Sequence, residues 1–559
     1  MKPLLIISVT FLFMYSSYGQ HNHSQSKDSK EINHVLACRS GVNFVDNLPI
    51  PQLMNGVGHS NLKINTSSEI TQKYFNQGVS QLHCFWDLEA YRSFKEAIKN
   101  DSTAVMPYWG LLHTLGFINN EEFDEDKELA ITKLKHLVEK ANGFEAMYAK
   151  GILDMEETKN PKGYIKQLEN VVHQYPDDTD AKLFLALFNM AGYDEEMNPK
   201  EGMIYSEYLL KDLLKTNPKN HGVHHYWIHQ MENCCPEEAL ESANILESLA
   251  PESGHIVHMP GHIYYKIGDY KKAHDQFIKA MKVDSTYMSN QNITEIDNWN
   301  YIHNLNYLLA NCAQDGRYKE GLKYAHRLEN MVSVASRIDM HRGAYFYQGI
   351  ITPAIMEMRF GFWEKAVSKF NAIEDKDSLY GKQAMDYKTA FSYFSAGMLS
   401  LEKNNIDAAI INLDKLDALF WRSSQLENEK DRLNPNSLNT LKVASVELEG
   451  NILIAKKDYD KGIATLVKAV KMEKDLGYSE PPYYPRPTLL SLASAYIKNN
   501  DFIKAEECYH KILEKHPNSA IANWELMKLY KLTNQKELLK LTSSKFMDVT
   551  PYGDSAVFK

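Results

Sequence analysis

The chain has 559 residues, a net charge of −10, and hydrophobic and charged fractions of 44% and 24%. One hydrophobic core does not grow to that size, so several units or a repeat are required. The ordinary composition excludes a disordered or fibrous chain, and mild acidity without a long basic run argues against a nucleic-acid partner.

At the N-terminus, Lys2 gives a short positive region, Leu4 to Tyr15 an apolar stretch, and Ser17-Tyr18-Gly19 a small-residue cleavage pattern before Gln20. This predicts a secretory signal peptide over 1–19 and an exported chain, periplasmic or secreted. The apolar run is too short for a bilayer span, and no later segment reaches the ~18 apolar residues one needs. Val35-Leu36-Ala37-Cys38 has the form of a lipobox, but the polar stretch from His21 to Glu31 separates it from the apolar region, so lipidation is not expected. Residues 20–67, polar and carrying Pro49 and Pro51, read as an irregular lead-in. The six cysteines (Cys38, Cys84, Cys234, Cys235, Cys312, Cys508) are scattered, which excludes a small disulfide scaffold. They read as buried small residues, with one long-range disulfide left open. A bridge between the adjacent Cys234 and Cys235 would be strained.

From residue 68 the pattern is helical and periodic. Gly78 and Ala90 are twelve residues apart, with Phe94 and Ala97 following; Gly261 and Ala273 repeat this across the turn Gly268-Asp269-Tyr270, with Phe277 and Ala280 after it. Gly450 and Gly462, then Ala493 and Ala505 across Asn499-Asn500-Asp501, fit the same ruler. Small residues at that spacing suit two antiparallel helices that pack closely. Weaker units run over 144–176, 181–218, 221–251 and 300–330, and the stretch 337–427 keeps helical periodicity with degenerate repeats. The unit resembles the tetratricopeptide (TPR) repeat, two helices in about 34 residues. The expected fold is an all-α TPR-type solenoid of roughly nine to twelve hairpins with a concave side. Its expected parts are an N-terminal array over 68–336, degenerate hairpins over 337–479, a Pro-rich linker with C-terminal hairpins over 480–545, and a tail over 546–559.

Of 21 histidines, many fall between residues 221 and 303. His221 to His255 and His224 to His258 are both 34 residues, one repeat, so equivalent positions of consecutive first helices carry histidine. His255, His258 and His262 fall at i, i+3 and i+7, one stripe of a helix. Such a stripe on first helices is expected to line the concave groove, which makes His221, His224, His229, His255, His258, His262 and His303 the candidate ligand-binding residues. Pro260 leaves two options: a helix that kinks there, or one that begins there with His255 and His258 on an entering loop. Three roles compete for the cluster. The rings can pack and cap helices; they can hold zinc or copper, with His258 and His262 at i, i+4 and His224, His229 or His303 as further ligands; or they can form a polar patch for an anionic or sugar-like ligand. The His-Glu-x-x-His pattern of metalloproteases is absent. Glu480 through Arg486 reads as a rigid Pro-rich linker, and the carboxylates at 121–126 as a solvated loop.

Several segments carry a broader resemblance: Tyr74-Phe75-Asn76-Gln77-Gly78, Phe94-Lys95-Glu96-Ala97, Tyr108-Trp109-Gly110-Leu111, His255 to Tyr264, His303-Asn304-Leu305 and Glu480 to Arg486. Together they span most of the mature chain, which is similar to a group of exported bacterial TPR repeat-containing proteins. Members lack an assigned catalytic activity, and some in marine Bacteroidota accompany polysaccharide-utilisation genes such as those for ulvan. The resemblance implies an interaction scaffold with protein partners, auxiliary to polysaccharide use. Two alternatives stay open: a glycan-binding protein similar to the SusD group, and a metal-dependent hydrolase or oxidase built on the histidine cluster.

Overall fold

The computed structural model describes residues 48–558 except 117–120, 142, 195–197, 332–345, 376, 478 and 480–481. The signal peptide, the lead-in up to residue 47, Cys38, Glu480 and Pro481 lie outside the described residues. Among those residues the chain is helical, its one β-bridge being an isolated pair at Tyr193 and Pro199.

Helices follow one another as antiparallel hairpins. The first six pairs are α1 (Glu69–His83) with α2 (Asp87–Asn100), α3 (Val105–Leu115) with α4 (Asp124–Leu137), α5 (Gly143–Thr158) with α6 (Lys162–Gln174), α7 (Thr179–Asn189) with α8 (Met203–Thr216), α9 (His221–Met231) with α10 (Leu240–Leu249), and α11 (Gly254–Lys266) with α12 (Tyr270–Gln291). The next six are α13 (Trp299–Asp315) with α14 (Tyr318–Glu329), α15 (Thr352–Arg359) with α16 (Trp363–Ala372), α17 (Lys382–Glu402) with α18 (Ile406–Ser424), α19 (Pro435–Ala455) with α20 (Tyr459–Lys474), α21 (Leu489–Lys498) with α22 (Phe502–Lys515), and α23 (Ala520–Leu532) with α24 (Lys536–Val549). Each hairpin packs on its neighbours, as a TPR-type solenoid requires. No helix among the described residues is long and apolar enough to cross a membrane.

The twelve-residue ruler has a steric origin. The small residue of a first helix makes room for a large one sixteen residues on, in the second helix. A Cβ on Gly78 would lie 2.6 Å from the Phe94 ring, one on Gly261 would collide with Phe277, and one on Gly450 would lie 2.6 Å from Leu466. Gly110, on the next first helix, presses on the other side of Phe94. The turn between paired helices repeats as well. Two residues before the second helix the backbone is left-handed, at Gly268 (φ 79°), Gly316 (φ 79°) and Asn500 (φ 60°), a conformation glycine and asparagine tolerate. At the same place in the first hairpin stands Phe85, with φ 53°.

The solenoid coils tightly enough to touch itself. The end of α1 packs on α9. The C-terminal segment returns to the middle, where Asp554 N–H donates to the Gly316 carbonyl at 2.9 Å and Asn518 donates to the Gly268 carbonyl at 3.3 Å. Residues 48–67 hold no helix or strand but are tied down: Ser80 donates to the Val57 carbonyl at 2.7 Å and Glu252 N–H to the Gly56 carbonyl at 2.8 Å. The described cysteines, Cys84, Cys234, Cys235, Cys312 and Cys508, are all free thiols.

Gly78→Ala sets helix propensity, which favours alanine by about 1 kcal/mol, against overpacking of a buried ring, which costs about 1–3 kcal/mol. Phe94 is wedged between Gly78 and Gly110 and has nowhere to move. Urea denaturation of Gly78→Ala is therefore expected to show a net loss of stability, and an unchanged or raised midpoint would contradict this packing.

Candidate metal centre

Three consecutive first helices, α9, α11 and α13, carry the histidines, and each starts from a side-chain cap. Asn220 accepts from Gly222 and Val223 N–H, Ser253 from Ile256 N–H, and Asn298 from Tyr301 N–H. The cap at Ser253 settles the question raised by Pro260: the helix begins at Gly254 and runs through the proline to Lys266. His255, His258 and His262 therefore share one helix.

His225 and His229 of α9 and His255 of α11 each bring one ring nitrogen within 4.8 Å of the others. Every Nδ1 is held by an acceptor. His225 Nδ1–H donates to the backbone carbonyl of His83 at 2.6 Å, and His229 Nδ1–H to Glu232 Oε1 at 3.0 Å. His255 Nδ1–H donates to Asn300 Oδ1 at 3.1 Å, an oxygen aimed there because the Asn300 amide donates to Asp284 Oδ2 at 2.8 Å. With Nδ1 protonated on all three rings, an imidazole in its neutral form carries a lone pair on Nε2. None of these three buried Nε2 atoms has a hydrogen-bond partner.

His258, His262 and His303 form a second triad, again with one nitrogen each within 4.8 Å. His262 Nδ1–H donates to Glu232 Oε2 at 2.7 Å, and His258 Nδ1–H to Asn304 Oδ1 at 2.7 Å. Asn304 is fixed in turn, since its amide donates to the Phe277 carbonyl at 2.7 Å. The Nε2 atoms of His258 and His262 then meet at 2.7 Å with a lone pair on each. Two lone pairs repel at that distance, so the contact calls for a positive charge between them, as a proton or a metal ion.

Histidine ligands fixed through the far nitrogen by carboxylate, amide or backbone carbonyl are the usual arrangement around a bound metal. Phe85 closes the first triad, its ring centroid 4.5 Å from His225, 5.5 Å from His229 and 5.6 Å from His255. A bulky residue in left-handed backbone costs on the order of 1–3 kcal/mol and persists where surroundings enforce it. A cavity of about 30 Å³ opens beside His255, walled by Phe85, Trp299, Asp284 and Asn300.

The seven candidates named from sequence are all buried, none more than 8% exposed, so they face a closed interior and not an open groove. His229, His255, His258, His262 and His303 enter the triads. His224, named above with His258 and His262 as a metal ligand, uses both nitrogens elsewhere, Nδ1 on Ser242 Oγ and Nε2 on the Pro218 carbonyl, each at 2.8 Å. It packs α9 and holds no place in either triad. His221 directs Nε2 to the Ser80 carbonyl at 3.1 Å, under Gly58. Sequence reasoning missed His225, Glu232, Asn300, Asn304 and Phe85. The signal for His225 was present: His225-x-x-x-His229 and His258-x-x-x-His262 repeat at 33 residues. A third grouping, His274, Cys312 and Glu320, belongs to a charge cluster with Arg317.

Burial, with the neighbouring imidazoles second, holds His225, His255 and His258 well below the ordinary histidine range, and burial takes His221 down to about 3. For Glu232 burial pushes upward, but His229 and His262 outweigh it and keep the carboxyl ionised.

No family model matches the chain, and no curated protein matches it. Among solved structures, it is similar to the human IFIT1 dimer with m7Gppp-AAAA, at 11% identity over 87% of this chain and 91% of that one, TM-score 0.32. It is also similar to the APC/C hetero-tetramer Cut9-Hcn1, at 12% identity over 87% and 89%, TM-score 0.29. At that distance no residue or activity is carried across.

Because the folded state keeps these rings neutral while the unfolded chain protonates near 6.5, folding expels protons below that pH. Stability of the metal-free protein is expected in full above pH 6.5 and to fall as the pH is lowered towards 3, the range set by His221. A thermal midpoint that stays flat or rises on acidification would contradict the buried neutral rings. Glu232→Gln replaces a charged acceptor of two imidazoles by an amide with one acceptor oxygen. It should cost about 1.5–3 kcal/mol in denaturant unfolding, and a change within error would show that the carboxylate does not organise the rings.

Proposed function

We propose that this chain is a metal-binding protein, its TPR-type solenoid serving as the scaffold for two buried three-histidine sites. One observation carries the reading: His225, His229 and His255 bring a ring nitrogen each within 4.8 Å of the others, their buried Nε2 atoms are unpartnered, and each Nδ1 is anchored from behind. Such a set leaves buried polar atoms uncompensated at a cost of about 1–3 kcal/mol each unless something accepts their lone pairs. Neutral imidazoles suit zinc and copper, and three of them leave a fourth position open, as in sites that do chemistry. In the second triad His258, His262 and His303 likewise bring one ring nitrogen each within 4.8 Å of the others, with the Nε2 atoms of His258 and His262 2.7 Å apart.

Other parts of the reading have separate support. Export to the periplasm or beyond is supported by the signal-peptide pattern over 1–19. Protein partners on the outer hairpin faces are supported by the repeat architecture, and an auxiliary role in polysaccharide use, or glycan binding, by the family resemblance.

Elemental analysis of protein purified without chelator should find up to two zinc or copper ions per chain. Removing them should lower the thermal midpoint, and restoring either metal at about 100 times its Kd should return about 2.7 kcal/mol per site. His229→Ala and His262→Ala should each lose one ion. A protein that retains no metal and shows no thermal shift with zinc or copper would refute the proposal.

A further inference from the structure

We propose that the cavity beside His255 is a binding site for the ammonium group of a small primary amine, separate from the histidine triads. The cavity lies where the turn of the first hairpin meets the junction of α12 and α13. Two hydrogen bonds hold those distant segments together. Tyr287 Oη–H donates to Glu89 Oε1 at 2.6 Å, across 198 positions, and Arg92 donates to Gln291 Oε1 at 3.0 Å, across 199.

The first argument is the chemistry of the walls. Asp87, Asp284 and Asp297 line the cavity, and no lysine or arginine does. Phe85, Trp86, Tyr287 and Trp299 give it four aromatic rings, with Trp86 and Tyr287 edge to face at 4.7 Å between centroids. Ring faces attract cations, and carboxylates accept strong hydrogen bonds from charged N–H donors. Walls that carry both suit a cation with N–H groups on one side and an apolar body on the other.

The second argument is Asp284. It is 4% exposed and has no cationic partner among the described residues; the amides of Asn300 and Asn298 donate to its two oxygens at 2.8 and 3.4 Å. Burial pushes its carboxyl up to about 7. Amides orient a carboxylate without neutralising it, and an uncompensated buried charge is costly. The first helix of the next hairpin leaves space for it: a Cβ on Gly254 would lie 2.1 Å from Asp284 Oδ1.

The third argument is size. The cavity of about 30 Å³ is roughly twice the ~10–15 Å³ that one water-sized group needs, which matches an ammonium and one carbon. A quaternary ammonium exceeds that space and offers no N–H, and a bare metal ion leaves the rings without an apolar partner. Trp86, Leu88 and Trp299 are half-buried, so the chain of a larger amine leaves past them. On the His255 side Asn300 accepts from Nδ1–H, and an amine in the cavity takes none of the triad's Nε2 atoms.

The test uses metal-free full-length protein at pH 8 and constant ionic strength, so its outcome does not depend on metal binding. Methylammonium chloride is titrated and followed by saturation-transfer NMR on its methyl protons. Saturable binding is expected with a millimolar Kd, since two heavy atoms permit little more. Ethylammonium should displace it, whereas methanol, tetramethylammonium and sodium should not. Asp284→Asn should weaken binding by about tenfold or more, and Trp86→Leu, at the half-buried rim, should weaken it severalfold, with circular dichroism confirming that each variant is helical. Absence of saturable binding, or displacement by methanol or sodium as effective as by ethylammonium, would overturn the proposal. Unchanged affinity in either folded variant would overturn it equally.

Discussion

Glu232 is buried in a helical interior, and its ionised carboxylate needs a donor at each oxygen; it takes them from His229, three residues earlier, and from His262, on the next hairpin. That requirement places protons on both Nδ1 atoms and leaves lone pairs on the opposite sides of the rings. It also ties α9 to α11 at a distance set by hydrogen bonds, so the step between two repeats is fixed where the ligands are. Asn300 and Asn304 extend the same logic to α13, each oriented by its own amide before it accepts from a histidine. The outcome is a set of rings whose protons face outward and whose lone pairs face inward.

Several locally unfavourable choices meet at this place. Phe85 holds left-handed backbone where other hairpins use glycine, asparagine or, at position 457, lysine, and its ring lies over the first triad. Pro260 sits inside the helix that carries three of the ligands. Imidazoles crowd together with burial opposing their protonation. Breaches of local rules that converge on one site are expected where function and not stability decides the residue. The rest of the solenoid keeps ordinary TPR-type packing, in which a small residue on one helix admits a large side chain from its partner, as Gly261 admits Phe277.

The repeat was legible because that packing has a fixed spacing, and Gly78, Gly261 and Gly450 advertise it. The histidine cluster was legible as a concentration of one residue type, but its phase was not. The general repeat length of 34 pairs His221 with His255 and His224 with His258. The helices themselves start at His221 and Gly254, one residue past caps at Asn220 and Ser253, and so repeat at 33. On that step His225 matches His258 and His229 matches His262, which are the pairs that converge. The enclosure of the site could not be read from local pattern, because it depends on contacts such as His225 with His83, 142 positions apart. The same long-range closure explains why a stripe expected to line a groove is buried.

The central claim is that six imidazoles, five of them oriented from behind by Glu232, Asn300, Asn304 and the His83 carbonyl, bind metal through nitrogen. X-ray absorption at the metal edge of loaded protein addresses it directly. The account predicts a shell of imidazole nitrogens, near 2.0–2.1 Å if the metal is zinc, with the outer-ring scattering of several histidines and no sulfur. A shell dominated by sulfur, from Met231, Cys234 and Cys235, or one of water oxygens without imidazole scattering, would contradict it.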